Sequence, residues 1–178
     1  MLEGIIRESI SKADCKALRN NGYLIANIYG KGIQNIHCAF KLNDFMKEVK
    51  NKQNLIFQVK LESKIYDVVV QDYQKDPVTN ILKHVDLLLV QENTNTKFKV
   101  PIKTKGTAKG LKNKGLLFIA TKRISVVCLP EKLPNSYELD VSDLDVGDSI
   151  LVRDLPCIEG LKVINKPNVA VVSVIKAK

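Results

Sequence analysis

Apolar and polar residues alternate along most of this chain, with β-branched and aromatic side chains at the apolar positions, which predicts a protein built mainly of strands. In the first half the pattern covers Tyr23 to Tyr29, Asn54 to Leu61, Lys64 to Gln71 and Ile81 to Val90. Tyr29-Gly30-Lys31-Gly32 and Glu62-Ser63 are turn signals between these runs. Two segments switch to a helical period. The first spans Lys12 to Asn20, where Ser11 can cap the free amides and Gly22 can end the helix in a left-handed turn. Ala13, Ala17 and Leu18 are expected to face the core, while Lys12, Lys16 and Arg19 recur at helical spacing on a wetter face. The second begins after Asn43, with Phe45, Met46 and Val49 as its apolar stripe and Lys47, Glu48 and Lys50 pointing outward.

The texture changes at Gln91-Glu92-Asn93-Thr94-Asn95-Thr96, a polar stretch that follows the apolar run Leu87 to Val90. It divides the chain into a domain over residues 1–93 and a second over residues 97–178. Several short strands with two helices suggest a small barrel with helical elaborations for the first. Beyond the boundary, Val126 to Pro130, Tyr137 to Val141, Ser149 to Val152, Leu161 to Ile164 and Val169 to Ile175 alternate with turn residues, the rhythm of an antiparallel sandwich or barrel. Lysines from Lys97 to Lys114, interleaved with Gly106 and Gly110, read as a basic loop. Such a loop can lay its backbone against phosphates or stand as a solvated segment, since the glycine spacing matches no phosphate-cradling fingerprint. The acids Glu138, Asp140, Asp143, Asp145 and Asp148 lack the fixed ligand order of a calcium loop.

A net charge of +9 over 178 residues, with a pI near 9.3, points to a polyanionic partner. Lysines on phosphate release condensed counterions and bind without reading bases. No apolar run is long enough to span a bilayer and the start has no signal-peptide order, so the expected setting is cytoplasmic, with no membrane partner. Cys15, Cys38, Cys128 and Cys157 lie far apart with no zinc spacing, which leaves structural thiols and no metal or other cofactor. His37 and Cys38 are neighbours, so on a strand they point to opposite faces and form no nucleophile–base pair. With no Walker loop, nucleotide-binding glycine fingerprint or HExxH, nothing supports an enzyme.

The densest chemistry lies between Val70 and Asp86, two strands joined by a turn at Pro77. On strands His84 and Asp86 share one face, with Gln71 and Gln74 near the end of the facing strand. A polar face on an apolar hairpin needs partners, either each other or a ligand. The segment Gln71-Asp72-Tyr73-Gln74-Lys75-Asp76-Pro77, ending in His84-Val85-Asp86-Leu87, resembles the hairpin of the bacterial large-subunit ribosomal proteins that bind 5S ribosomal RNA. In that family histidine stands where this chain has Asp76, and phenylalanine where it has Leu87. The resemblance extends to Arg7, to the basic segment Lys16-Ala17-Leu18-Arg19 and to Ile25-Ala26-Asn27-Ile28-Tyr29-Gly30. In the second half, Val100-Pro101-Ile102, Gly106 to Gly115, Cys128-Leu129-Pro130, Asp140 to Leu144 and Gly147 to Ile150 are similar to the extra β-domain of the long form, the general stress protein Ctc. Lys114 occupies a position where that family commonly has the first of two glycines.

The resemblance implies a mainly β protein with a few short helices: an N-terminal six-stranded barrel, like the anticodon-binding domain of glutaminyl-tRNA synthetase, followed by a C-terminal β-domain. It implies a structural constituent of the large ribosomal subunit that docks on the loop-E region of 5S ribosomal RNA and catalyses nothing. The second domain would then meet other ribosomal RNA or proteins. Gln71, Gln74, His84 and Asp86, with Tyr29 of the tyrosine–glycine turn, would face the shallow RNA minor groove, and Arg7, Lys12, Lys16, Arg19, Lys31 and Lys83 would hold phosphates. The alternative is a stress-related RNA or transfer-RNA binder acting off the ribosome.

Overall fold

The computed structural model describes residues 2–51, 54–91 and 93–176, so Glu92, within the polar stretch read as the boundary, lies outside the described residues. The chain divides into two compact units, Met1–Glu92 and Asn93–Lys178.

In the first unit, β1 (Leu2–Ile6), α1 (Lys12–Asn20), β2 (Tyr23–Gly30), β3 (Ile33–Lys41), α2 (Leu42–Asn51), β4 (Ile56–Leu61), β5 (Lys64–Lys75) and β6 (Leu82–Leu89) follow in order. The strands close a six-stranded barrel, β1-β3-β2-β6-β5-β4, as the resemblance implied. Its interior is filled by Leu24, Ala26 and Ile28 of β2, Cys38 and Phe40 of β3, Val59 and Leu61 of β4, Val68 of β5, and Val85 and Leu87 of β6. These alternate along each strand, as a half-buried sheet requires.

Two strands the alternation did not disclose, β1 and β3, complete the barrel. β1 closes it by pairing antiparallel with β3 and parallel with β4, Leu2 lying beside Val59, a contact between distant segments that no local pattern announces. The helices also differ from expectation. Ser11 caps α1 and accepts from the Asp14 amide at 3.1 Å, and Gly22 follows with a φ of 79°, but Ala13 and Ala17 are exposed. Leu18 and Cys15 are the partly covered positions, one turn apart, because α1 rests on the outside of β2 along a narrow stripe. In α2, Met46 is exposed and Leu42, Phe45 and Val49 form the inward stripe instead. Phe45 sits 6.3 Å from the ring centres of both Phe40 and Phe57, edge-on to the latter.

The second unit contains β7 (Thr96–Lys105), β8 (Gly115–Ile119), β9 (Arg123–Cys128), β10 (Tyr137–Asp140), β11 (Ser149–Leu151), β12 (Lys162–Val163) and β13 (Ala170–Lys176), with short 3-10 turns between some of them. They form a four-stranded sheet, β10-β7-β9-β12, and a three-stranded sheet, β11-β13-β8. The first half of the basic segment read as a loop is β7. Phe98 and Val100 are fully buried while Lys97 and Lys99 alternate with them on the other face, a strand alternation masked in the sequence by its charge.

The glycines that follow also answer to packing. A Cβ on Gly110 would lie 2.8 Å from both the Val146 nitrogen and Val174 Cγ1, and one on Gly115 would lie 2.5 Å from the Gly110 carbonyl oxygen. The acids of this unit fasten turns: Asp140 accepts from the Ser142 amide at 2.9 Å, Asp145 from Asn113 Nδ2 at 3.1 Å, and Asp143 pairs with Lys109 at 2.7 Å. Among the described residues there is no cluster of three or more side chains able to hold a metal ion.

Candidate nucleic-acid interface

Strand register decides which side chains share a surface. In β5 and β6, Val68 pairs with Leu89 and Val70 with Leu87, all turned toward the core. The register then slips, so that Asp72 faces Asp86: Gln71 is an extra residue on β5. A one-residue bulge reverses the parity of everything beyond it. Without it, Asp72 and Gln74 would turn inward with Val70; with it, they share the outer surface with Asp86 and His84. A second slip, between the pairs Gln74 with His84 and Lys75 with Leu82, makes Lys83 the extra residue on β6. The two bulges bracket the polar part of the hairpin.

The surface continues onto the neighbouring strands. β2 runs parallel to β6 and sets Ile25 beside His84, Asn27 beside Asp86 and Tyr29 beside Leu88. β3 sets His37 beside Asn27, where His37 Nδ1 and Asn27 Oδ1 are 2.9 Å apart. One row of polar side chains, His37–Asn27–Asp86–Asp72, therefore crosses four strands, and at about 4.8 Å per strand it spans roughly 14 Å. An amide oxygen can only accept, so His37 Nδ1 is the donor in this contact. The two carboxylates make the row rich in acceptors.

His84 and Asp86 do not satisfy each other. His84 Nδ1 lies 3.5 Å from Asp86 Oδ1, and this nitrogen is buried with no hydrogen-bond partner. Burial pushes the His84 pKa down; the Asp86 carboxylate pulls it up by less, and Arg19 and Arg7 add to the lowering. The ring is therefore neutral at pH 7, and the contact is not a salt bridge. Gln71 Oε1 is likewise buried without a partner. The Tyr29 phenol is raised by burial and then by Asp86 and Asp72, which puts its hydroxyl within reach of both carboxylates' fields.

The basic residues divide into three groups. Lys12 and Lys16 on α1 and Lys31 in the β2–β3 turn are exposed cations, and the Lys31 carbonyl is held by Gln91 Nε2 at 2.9 Å. Arg19, also exposed, donates from Nε to the Lys83 carbonyl at 3.2 Å, tying α1 to the β6 bulge. Lys83 and Arg7 are not the free surface cations expected. The Lys83 ammonium is paired with Asp76, whose carboxylate also accepts from the Val78 and Thr79 amides at 2.9 Å each and titrates well below the usual range, chiefly through Lys83. Aspartate at this position thus folds the turn and holds Lys83 against it. Arg7 is only 9% exposed, and its Nε finds no partner.

Asn27, His37 and Asp72 belong to the surface although hairpin reasoning passed over them. Only the parallel pairing of β2 with β6 and the bulge at Gln71 reveal them. Cys38 is excluded from chemistry by the same geometry. It points into the core with no exposure, and burial pushes its thiol up to about 12.

Residues 2–87 match the model of the ribosomal L25p family, and residues 95–178 match that of the ribosomal protein TL5, C-terminal domain. The large ribosomal subunit protein bL25 of Helicobacter hepaticus is 70% identical over 178 residues, with both chains covered completely. The proteins of the same name from Wolinella succinogenes and Helicobacter acinonychis are 68% and 61% identical, again over the whole of both chains.

Proposed function

The chain belongs to the ribosomal L25p family, in the form that carries a TL5-type C-terminal domain, and we propose that it is a structural component of the bacterial large ribosomal subunit whose barrel grips 5S ribosomal RNA at its loop-E region. Its relatives are named as ribosomal proteins and not as enzymes, and its place of work is the ribosome in the cytoplasm.

The observation that carries the RNA reading is the concentration of unpaired polar atoms. Among the described residues four buried side-chain atoms lack a hydrogen-bond partner, and three of them, Arg7 Nε, Gln71 Oε1 and His84 Nδ1, belong to residues of the expected RNA site. Each costs about 1–3 kcal/mol unless something satisfies it. A face that keeps such groups is supported as one built for a ligand. The acceptor row says which ligand groups suit it. Carboxylates repel phosphate, but they accept well from ribose 2′-hydroxyls and from the guanine amino group, both displayed in the wide, shallow RNA minor groove. Lys12, Lys16, Arg19 and Lys31 supply charge for phosphates, while Tyr29, Gln71, Gln74, His84 and Asp86, extended by Asn27, His37 and Asp72, do the reading.

Gel-shift competition tests this. The protein should retain 5S ribosomal RNA against an excess of unrelated RNA of equal length, with affinity falling as salt rises. Equal competition by the two RNAs would sink the 5S reading. A pool that stays free of large subunits in sedimentation would favour an RNA binder acting elsewhere.

A further inference from the structure

Net charge is shared unequally: residues 1–92 hold 13 basic and 11 acidic residues, and residues 93–178 hold 15 and 8. The C-terminal unit thus carries +7 of the total +9. The barrel reading uses little of it.

Much of that charge stands on one side of one sheet. Along β7 the outward positions are Lys97, Lys99, Pro101, Lys103 and Lys105, alternating with buried Phe98 and Val100. Register extends the surface across the sheet. Lys97 faces Val127, Lys99 faces Ser125 and Pro101 faces Arg123 on β9, and Lys162 of β12 stands beside Val127. On the other edge, Glu138 and Asp140 of β10 lie opposite Lys103 and Lys105. The acids therefore offset one end of the sheet. At the other end, Lys97 and Lys162 are exposed on the same surface, with the half-buried Lys99 and Arg123 beside them.

We propose that this outer face of the β10-β7-β9-β12 sheet is a second RNA-binding surface, which holds the phosphate backbone of a base-paired segment without reading its sequence. The inference rests on the ribosomal reading above for its choice of polyanion. The surface itself says what kind of RNA. None of its outward positions is Phe, Tyr or Trp, so it has no platform for stacking unpaired bases; Phe98 and Tyr137 point the other way and are buried. Lysines two residues apart on a strand sit roughly 6.8 Å from one another, and apart from Arg123 the cations are point charges without the forked geometry that reads base edges. Such a surface binds through counterion release, and its signature is a steep dependence on salt.

The test is the affinity of the full chain for a perfectly paired RNA duplex of unrelated sequence across a range of KCl concentrations. The Lys97→Gln, Lys99→Gln, Lys162→Gln triple variant should bind the duplex on the order of tenfold or more weakly at low salt. Its log–log salt slope should flatten by about 2–3, close to one unit per phosphate contact removed. The same number of substitutions on the barrel, Lys47→Gln, Lys50→Gln, Lys64→Gln, should leave that slope unchanged. An unaltered slope in the first triple, or an equal change in the control, would overturn the proposal, as would tighter capture of anionic lipid vesicles than of duplex. Preference for 5S over unrelated RNA is scored separately, so its absence would count against the barrel reading and leave this one standing.

Discussion

The two units present polar sheet surfaces of opposite chemistry. On the barrel, His37, Asn27, Asp86 and Asp72 form a row in which acceptors dominate, held by register and by two bulges, in a unit with a net charge of only +2. On the C-terminal sheet, lysines stand at four of the five outward positions of an ordinary strand, in a unit with a net charge of +7. Acceptors placed by geometry discriminate between donors, whereas an array of ammonium groups is attracted to any phosphate. The two proposals together give a division of labour: the weakly charged unit would select, and the strongly charged one would add affinity.

The sharpest way to break that contrast is to remove the bulge. Deleting Gln71 should turn Asp72 and Gln74 to the inner face and cut 5S preference on the order of 100-fold, since several readout contacts vanish together. Gln71→Ala, which keeps the extra residue, should cost far less; equal losses in competition gel shifts would show that the bulge is not what aims the row. Next in size, Gly110→Ala should destabilise the C-terminal unit by about 1–3 kcal/mol, because its Cβ would press on the Val146 backbone. Denaturant melts should show this loss with the 5S preference intact.

Asp86→Ala is expected to weaken 5S binding by on the order of 1–3 kcal/mol while leaving affinity for an unrelated duplex unchanged. A uniform loss on both RNAs would mean that Asp86 serves the fold and not the reading. Lys114→Gly should act in the opposite direction. Lys114 has a φ of 58°, which glycine adopts without a side-chain penalty, so the C-terminal unit should gain roughly 0.5–1 kcal/mol in thermal melts.

The smallest effect is the pH response of His84. Burial lowers its pKa below the ordinary 6.5, so between the two values the unfolded chain holds a proton that the folded chain refuses. Stability should therefore rise with pH through that window and fall on acidification below 6.5. The carboxylates with lowered pKa values, Asp14, Asp76, Asp140 and Asp145, contribute only further down, below about 3.8. If the pH dependence just below 6.5 persisted in His84→Gln, another group would be responsible.

Local rules reached much of this protein. The alternation at Tyr23 to Tyr29 and the cap–helix–glycine order from Ser11 to Gly22 correspond to β2 and α1, because backbone sterics and orphan amides act within a few residues. The hairpin with His84 and Asp86 was legible for the same reason. What escaped depended on distant partners. Ala13 and Met46 were assigned inward by periodicity, but whether a helical position is covered depends on the sheet beneath it, and they are exposed. Lys97 to Lys114 reads as a loop from its lysines and glycines, yet strand pairing with β9 makes its first half part of a sheet.

The candidate site divides along the same line. Which chemical groups are available, an imidazole, carboxylates, amides and a tyrosine around one hairpin, was determined by the sequence alone. Which of them share a face was decided by tertiary structure. A single extra residue at Gln71 flips side-chain parity, the parallel register of β2 on β6 brings Asn27 into line with Asp86, and the antiparallel register of β3 on β2 adds His37. Side-chain type is written residue by residue, but the direction a strand residue points is relative to its neighbours, and those neighbours come from elsewhere in the chain.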